Sequence, residues 1–205
     1  MRNLFLTATL VVCSLFAYSQ ENDCDDPSKQ ACCQAGNSAV VAITPLADLQ
    51  CKDRSAHLYK IFPKIPIYKG FLFNQVNMCG AGKSSGILEF EYCIAKTRQH
   101  MTVTITDWAD PFFKTDAGQS QVNFFQTMFL AGTSPILKTY PSKNQKFNKS
   151  FIAMEGNETK KYVSFEGLKD NRFLVHIVIE GDRFKLATEV DTFLADYINA
   201  FDFLN

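Results

Sequence analysis

Residues 79–93 read CGAGKSSGILEFEYC, a stretch that matches two catalytic patterns at once. Gly82-Lys83-Ser84 closes a near-match to the phosphate loop G-x-x-x-x-G-K-S/T, with Asn77 in place of the first glycine. Gly82-Lys83-Ser84-Ser85-Gly86 fits the hydrolase elbow G-x-S-x-G. Both patterns need a helix directly after the loop. In the first, backbone N–H groups at the helix N-terminus hold the phosphates. In the second, a strand-to-helix turn lifts the serine out of the sheet. Here the following residues, Ile-Leu-Glu-Phe-Glu-Tyr-Cys-Ile, alternate with period two. That pattern is a half-buried strand. Residues 80–85 therefore read as a hairpin loop, rich in residues that tolerate positive φ.

Working outward from this hairpin, residues 70–77 read as its first strand. Residues 101–106, Met-Thr-Val-Thr-Ile-Thr, alternate cleanly, with Met101, Val103 and Ile105 on one face. A helix is expected over 117–131, with Val122, Phe125 and Phe129 on one side and a stop at Gly132 and Pro135. Short strands follow over 136–140, 150–155, 162–166 and 173–180. Gly156-Asn157 and Asp170-Asn171 supply turn residues between the last of them. The chain ends in a second helix whose stripe runs through Leu186, Val190, Phe193, Tyr197 and Phe201.

Residues 173–179 are apolar on both faces, with Leu174, His176 and Val178 forming the second face. Such a strand sits centrally and is covered on both sides. The fold class is then α+β: a mainly antiparallel sheet of about six to seven strands with two packing helices. It occupies residues 70–205 and follows a disulfide-stapled, irregular N-terminal segment over 20–69.

The first residues read as a secretory signal, 1–19. Arg2 is followed by an uncharged apolar run from Leu4 to Phe16 and a small-x-small site at Ala17-Tyr18-Ser19, which leaves Gln20 as the mature start. The run is too short to span a bilayer, and no later stretch of the mature chain is expected to. The expected location is secreted or periplasmic; the alternative is a lipid anchor through Cys13. The whole chain carries 21 basic and 21 acidic residues, so it gives no electrostatic reason to expect nucleic acid as a partner. Beyond Cys13 there are six cysteines: Cys24, Cys32, Cys33, Cys51, Cys79 and Cys93. An even number in an exported chain reads as disulfides, whose connectivity remains open among 15 pairings.

Candidate sites are few. A hydrolase using Ser84 would take Asp107 or Asp110 as its acid and His176 as its base. His176 lies mid-strand between Leu174 and Val178, where a hydrogen-bonded core histidine is the expectation. Glu89 and Glu91 share one strand face, about 7 Å apart by strand rise, and read as its solvent side. Trp108, the single tryptophan, stands at a strand end, where it either closes the core edge or stacks a ligand. Cys24, Cys32, Cys33 and Cys51 match no zinc spacing, and His57 does not complete one. No metal or cofactor is expected. Lys138, Lys143, Lys146, Lys149, Lys160 and Lys161 read as a solvated basic face. Asn148 and Asn157 begin glycosylation sequons.

The order of hairpin, strand, helix, meander and C-terminal helix over about residues 70–203 resembles the PsbP-like group of small exported α+β domains. The resemblance implies a non-catalytic accessory or binding domain and carries over no binding residue. The function expected from the whole sequence is an exported binding domain for an unknown protein or a small apolar ligand. Leu174, His176, Val178 and Trp108 are its candidate binding residues. The rivals are a serine hydrolase and a thiol- or metal-handling protein built on the Cys-rich segment.

Overall fold

The computed structural model describes residues 56–81, 84–94, 96–131, 138–156 and 161–203. The elements are α1 (Ala56–Ile61), β1 (Ile67–Tyr68), β2 (Phe71–Ala81), β3 (Ser84–Ile94), β4 (Gln99–Asp107), a 3₁₀ turn (Pro111–Lys114), α2 (Asp116–Ala131), β5 (Lys138–Pro141), β6 (Lys149–Gly156), β7 (Lys161–Lys169), β8 (Phe173–Glu180) and α3 (Ala187–Asn199). All eight strands join one antiparallel sheet in the order β1-β2-β3-β4-β8-β7-β6-β5. The α+β class and the antiparallel sheet stand as read; the sheet has one or two strands more than expected. The proposed signal, Cys24, Cys32, Cys33, Cys51 and Asn157 lie outside the described residues.

Residues 79–93 form the hairpin. Ala81 pairs with Ser84 across the turn, and the strand runs on without a helix to Ile94. Gly86 sits where a β-carbon would meet the Asp110 Cβ at 2.5 Å and the Asp107 carbonyl at 3.0 Å, so the glycine admits the loop after β4 against β3. The turns elsewhere follow their residue chemistry. Lys69-Gly70 joins β1 to β2 with φ of 47° and 94°, and Asp170-Asn171 joins β7 to β8 with φ of 54° and 51°. The first is a two-residue loop, where two successive positive values match the right-handed twist of the flanking strands; the second has three residues, Asp170, Asn171 and Arg172.

One sheet face carries the main core. Met101, Val103 and Ile105 of β4 stand beside Ile179, Ile177 and Val175 of β8, and none exceeds 1 % exposure. Phe90 and Tyr92 of β3 and Val163 and Phe165 of β7 extend this layer. α3 seals it with Val190, Phe193, Leu194, Tyr197 and Ile198, and Phe201 follows. Leu58, Ile61, Phe62 and Tyr68, all from the stretch read as lead-in, are also buried here. The Tyr92 and Tyr197 hydroxyls satisfy each other at 2.9 Å. Burial pushes the Tyr92 phenol up to about 12. Leu186, placed at the head of the α3 stripe from the sequence, is 60 % exposed, because it precedes the first helical turn.

Cys93 is buried and disulfide-bonded. Cys79 stands opposite Leu88, while Cys93 stands opposite Leu72. Cys93 therefore lies roughly 17 Å along β3 from the residue facing Cys79, by strand rise. Bridged cysteines need Cα atoms within about 7 Å. Peptide mapping under non-reducing conditions should find no Cys79–Cys93 bridge; finding one would contradict the β2–β3 register. Separately, Ile177→Ala should lose about 2–5 kcal/mol in denaturant unfolding, whereas exposed Leu186→Ala should lose less than about 0.5 kcal/mol.

Candidate functional site

The second sheet face is where the chain places its acids and bases. The register sets Glu89 beside Thr104, Thr104 beside His176, and His176 beside Glu166, one polar row across β3, β4, β8 and β7. The Thr104 hydroxyl donates to Glu89 Oε2 at 2.8 Å. His176 Nε2 meets Glu166 Oε1 at 3.1 Å. In the adjoining row, Glu91 Oε1 is contacted by His100 Nδ1 at 3.1 Å and accepts from Asn74 Nδ2 at 3.2 Å. Glu91 and Glu166 are each only 6 % exposed. Reading Glu91 as part of a solvent face is therefore corrected. Strand alternation says which residues share a face, not what covers that face.

Burial decides the protonation of the Glu166–His176 pair. Desolvation raises the Glu166 carboxyl well above its ordinary range and lowers His176 to about 4. The state consistent with both directions is a protonated carboxyl donating to a neutral imidazole. Among the described residues Glu166 Oε2 has no hydrogen-bond partner, which costs less for a neutral carboxyl than for a carboxylate. His176 Nε2, the nitrogen a base would offer a substrate, is engaged.

Asp107 lies at the other end of β4. Arg172 donates to both its oxygens, from Nε at 2.8 Å and from Nη2 at 2.7 Å. The Ala109 N–H donates at 2.9 Å, and His57 Nε2 stands 3.2 Å away. Burial alone would raise this carboxyl, but the hydrogen bonds from Arg172 and Ala109 and the Arg172 charge, with a smaller contribution from His57, outweigh it and hold it low. The structure therefore does not bring Asp107 to His176: each has its own partner, on a different row. The Asp110 side chain caps the 3₁₀ turn by accepting from the Phe112 N–H.

Among the residues singled out from the sequence, Trp108 and Leu174 are buried together under α2, with Val122, Phe125, Phe151 and Leu168. Trp108 closes a core edge. His176 and Val178 are half-buried. None of the four lines either of two grooves among the described residues, one at the start of α3 and one beside it. The larger groove, about 560 Å³, is lined by Lys69, Arg183, Phe184, Thr188, Thr192 and Phe193, with Glu189 on its wall. The smaller, about 200 Å³, lies between β6, β7 and the loop after β8. Arg183 carried no signal in the sequence, because it sits in no motif and reaches the groove only through the turn after β8. Among the described residues no group of three or more His, Cys, Asp or Glu side chains is placed to hold a metal ion. No described helix is long and apolar enough to cross a membrane. No protein-family model matches the chain, and no curated protein or solved structure compared with it matches either.

The neutral pair sets a pH dependence. An unfolded chain protonates these groups with ordinary values of 4.5 and 6.5. Between those values folded and unfolded pairs hold one proton each, so the pair contributes no slope. Above 6.5 the folded pair keeps a proton that the unfolded chain releases, and stability falls as pH rises toward the raised Glu166 value. Below 4.5 the unfolded chain holds the extra proton until His176 titrates near 4, and stability falls with pH. Glu166→Gln mimics the protonated acid and leaves His176 alone. Its melting temperature should rise with pH from about 4 to 6.5 and then stay flat. Thermal melts across pH check this; an unchanged alkaline decline in Glu166→Gln would contradict the neutral pair.

Proposed function

We propose that the chain is an exported, non-catalytic binding or accessory domain. The observation that supports this best is the fate of its acid–base groups. Glu166 with His176, Glu91 with His100, and Asp107 with Arg172 and His57 are joined to one another across strands or strand ends. None of these contacts converges on either groove. The stretch with the catalytic patterns continues into a strand, without the helix that a phosphate loop or a nucleophile elbow needs.

The signal-like first 19 residues and the disulfide state of Cys93 favour a secreted or periplasmic location. Attachment to a membrane through a lipid on Cys13 is the alternative within the same proposal. The element order that resembles PsbP-like domains points to the same class of function. A polypeptide partner fits the open grooves better than a small apolar ligand, because such a ligand needs a cleft that buries most of its surface. No cofactor or nucleic acid enters this reading.

Two measurements test it. The exported protein should have the mass of a chain beginning at Gln20, and a lipid-modified Cys13 would move it to a membrane surface. A fluorophosphonate probe should leave Ser84 unlabelled. Labelling that disappears in Ser84→Ala would overturn the non-catalytic reading.

A further inference from the structure

The groove at the start of α3 holds a cation, Arg183, whose contacts among the described residues are with aromatic rings. The Arg183 guanidinium lies over the Phe193 ring at 4.6 Å from its centroid and reaches Phe184 and Phe71 at 5.7 and 6.0 Å. It has no hydrogen-bond or ion-pair partner among the described residues. The other charges around the groove are engaged. Lys69 Nζ donates to the Phe193 carbonyl at 2.7 Å and stands 3.7 Å from Asp196. Glu189 Oε2 accepts from the Lys185 and Leu186 N–H groups at 2.8 and 3.1 Å. The Thr192 hydroxyl donates to the Thr188 carbonyl within α3. The rings hold the guanidinium by cation–π attraction while Arg183 stays exposed to solvent.

We propose that this groove binds an acidic side chain of a polypeptide partner, with Arg183 as the residue that receives it. A guanidinium presents donors in a fixed fork that matches a carboxylate with two parallel hydrogen bonds. Lys69 adds positive charge beside the fork, held against α3 by its hydrogen bond to the Phe193 carbonyl. The Phe184 and Phe193 rings give the methylenes of a glutamate an apolar wall. The groove is open and wide, which suits a side chain carried on an extended partner backbone. This inference rests on the binding reading above and names the chemistry of its partner.

The test uses the mature full chain with arginine Nε–H signals followed by NMR at physiological ionic strength. The probes are an acetylated, amidated tetra-glutamate peptide, its tetra-glutamine counterpart and inorganic phosphate. The glutamate peptide should shift Arg183 and the neighbouring Thr188 and Thr192 amides to saturation, and the glutamine peptide should not. Arg183→Lys should weaken binding roughly tenfold, as expected when a fork becomes a point charge. Arg183→Gln should abolish it with the remaining spectrum unchanged. Equal shifts from both peptides, no saturation, or saturation elsewhere with Arg183 unmoved would each overturn the proposal. Phosphate matching the peptide at equal concentration would overturn the polypeptide assignment. Those failures would leave the non-catalytic reading standing, since Ser84 labelling decides that one separately.

Discussion

The constraint on which the structure depends is that β8 needs cover on both faces. β8 lies fifth of eight in the sheet, between β4 and β7. Its odd positions, Phe173 to Ile179, face the main core and α3. Apolar burial on this side supplies the larger driving force, since each fully buried aliphatic or aromatic side chain contributes about 1.5–3 kcal/mol relative to exposure. The even positions meet a different solution. Leu174 is sealed by α2 and Trp108. His176, one step along, is matched with Glu166. The face changes from apolar to polar between adjacent rows of the sheet.

That division bears on function. Buried acids and bases are costly unless each finds a partner. This chain solves the problem by setting partners on neighbouring strands, where the register holds them about 3 Å apart. Groups fixed in this way specify strand pairing, because a one-residue slip would send His176 and Glu166 to opposite faces. They are poor candidates for turnover. Exposed chemistry is left to the margin, where the chain leaves β8 through Gly181 and turns into α3. Arg183 and Lys69 meet there, on two connections far apart in sequence.

Much of the fold was legible because it is local. The alternation in 87–94 and 101–106, the Asp170-Asn171 turn and the α3 stripe each depend on residues within one element, and each was found within a few residues of its reading. α1 and β1 were not, because Pro63 and Pro66 break the texture around two very short elements. The candidate site was barely legible. Pairing His176 with Glu166, or His100 with Glu91, requires knowing that β8 lies between β4 and β7 and in which register. Both are non-local. For the same reason Glu91 looked solvated and Leu174, His176 and Val178 looked like one apolar patch.

Matched with Glu166, the histidine in the middle of this sheet is placed as a structural group and not as a base poised for catalysis. The direct measurement is an NMR titration of the His176 ring and the Glu166 carboxyl carbon. His176 should stay neutral from pH 8 down to pH 5 and titrate near 4, with the Glu166 carboxyl titrating well above its ordinary range. A His176 inflection near neutral pH beside an ionised Glu166 would contradict this reading, and would return the pair to the list of groups able to move a proton for a substrate.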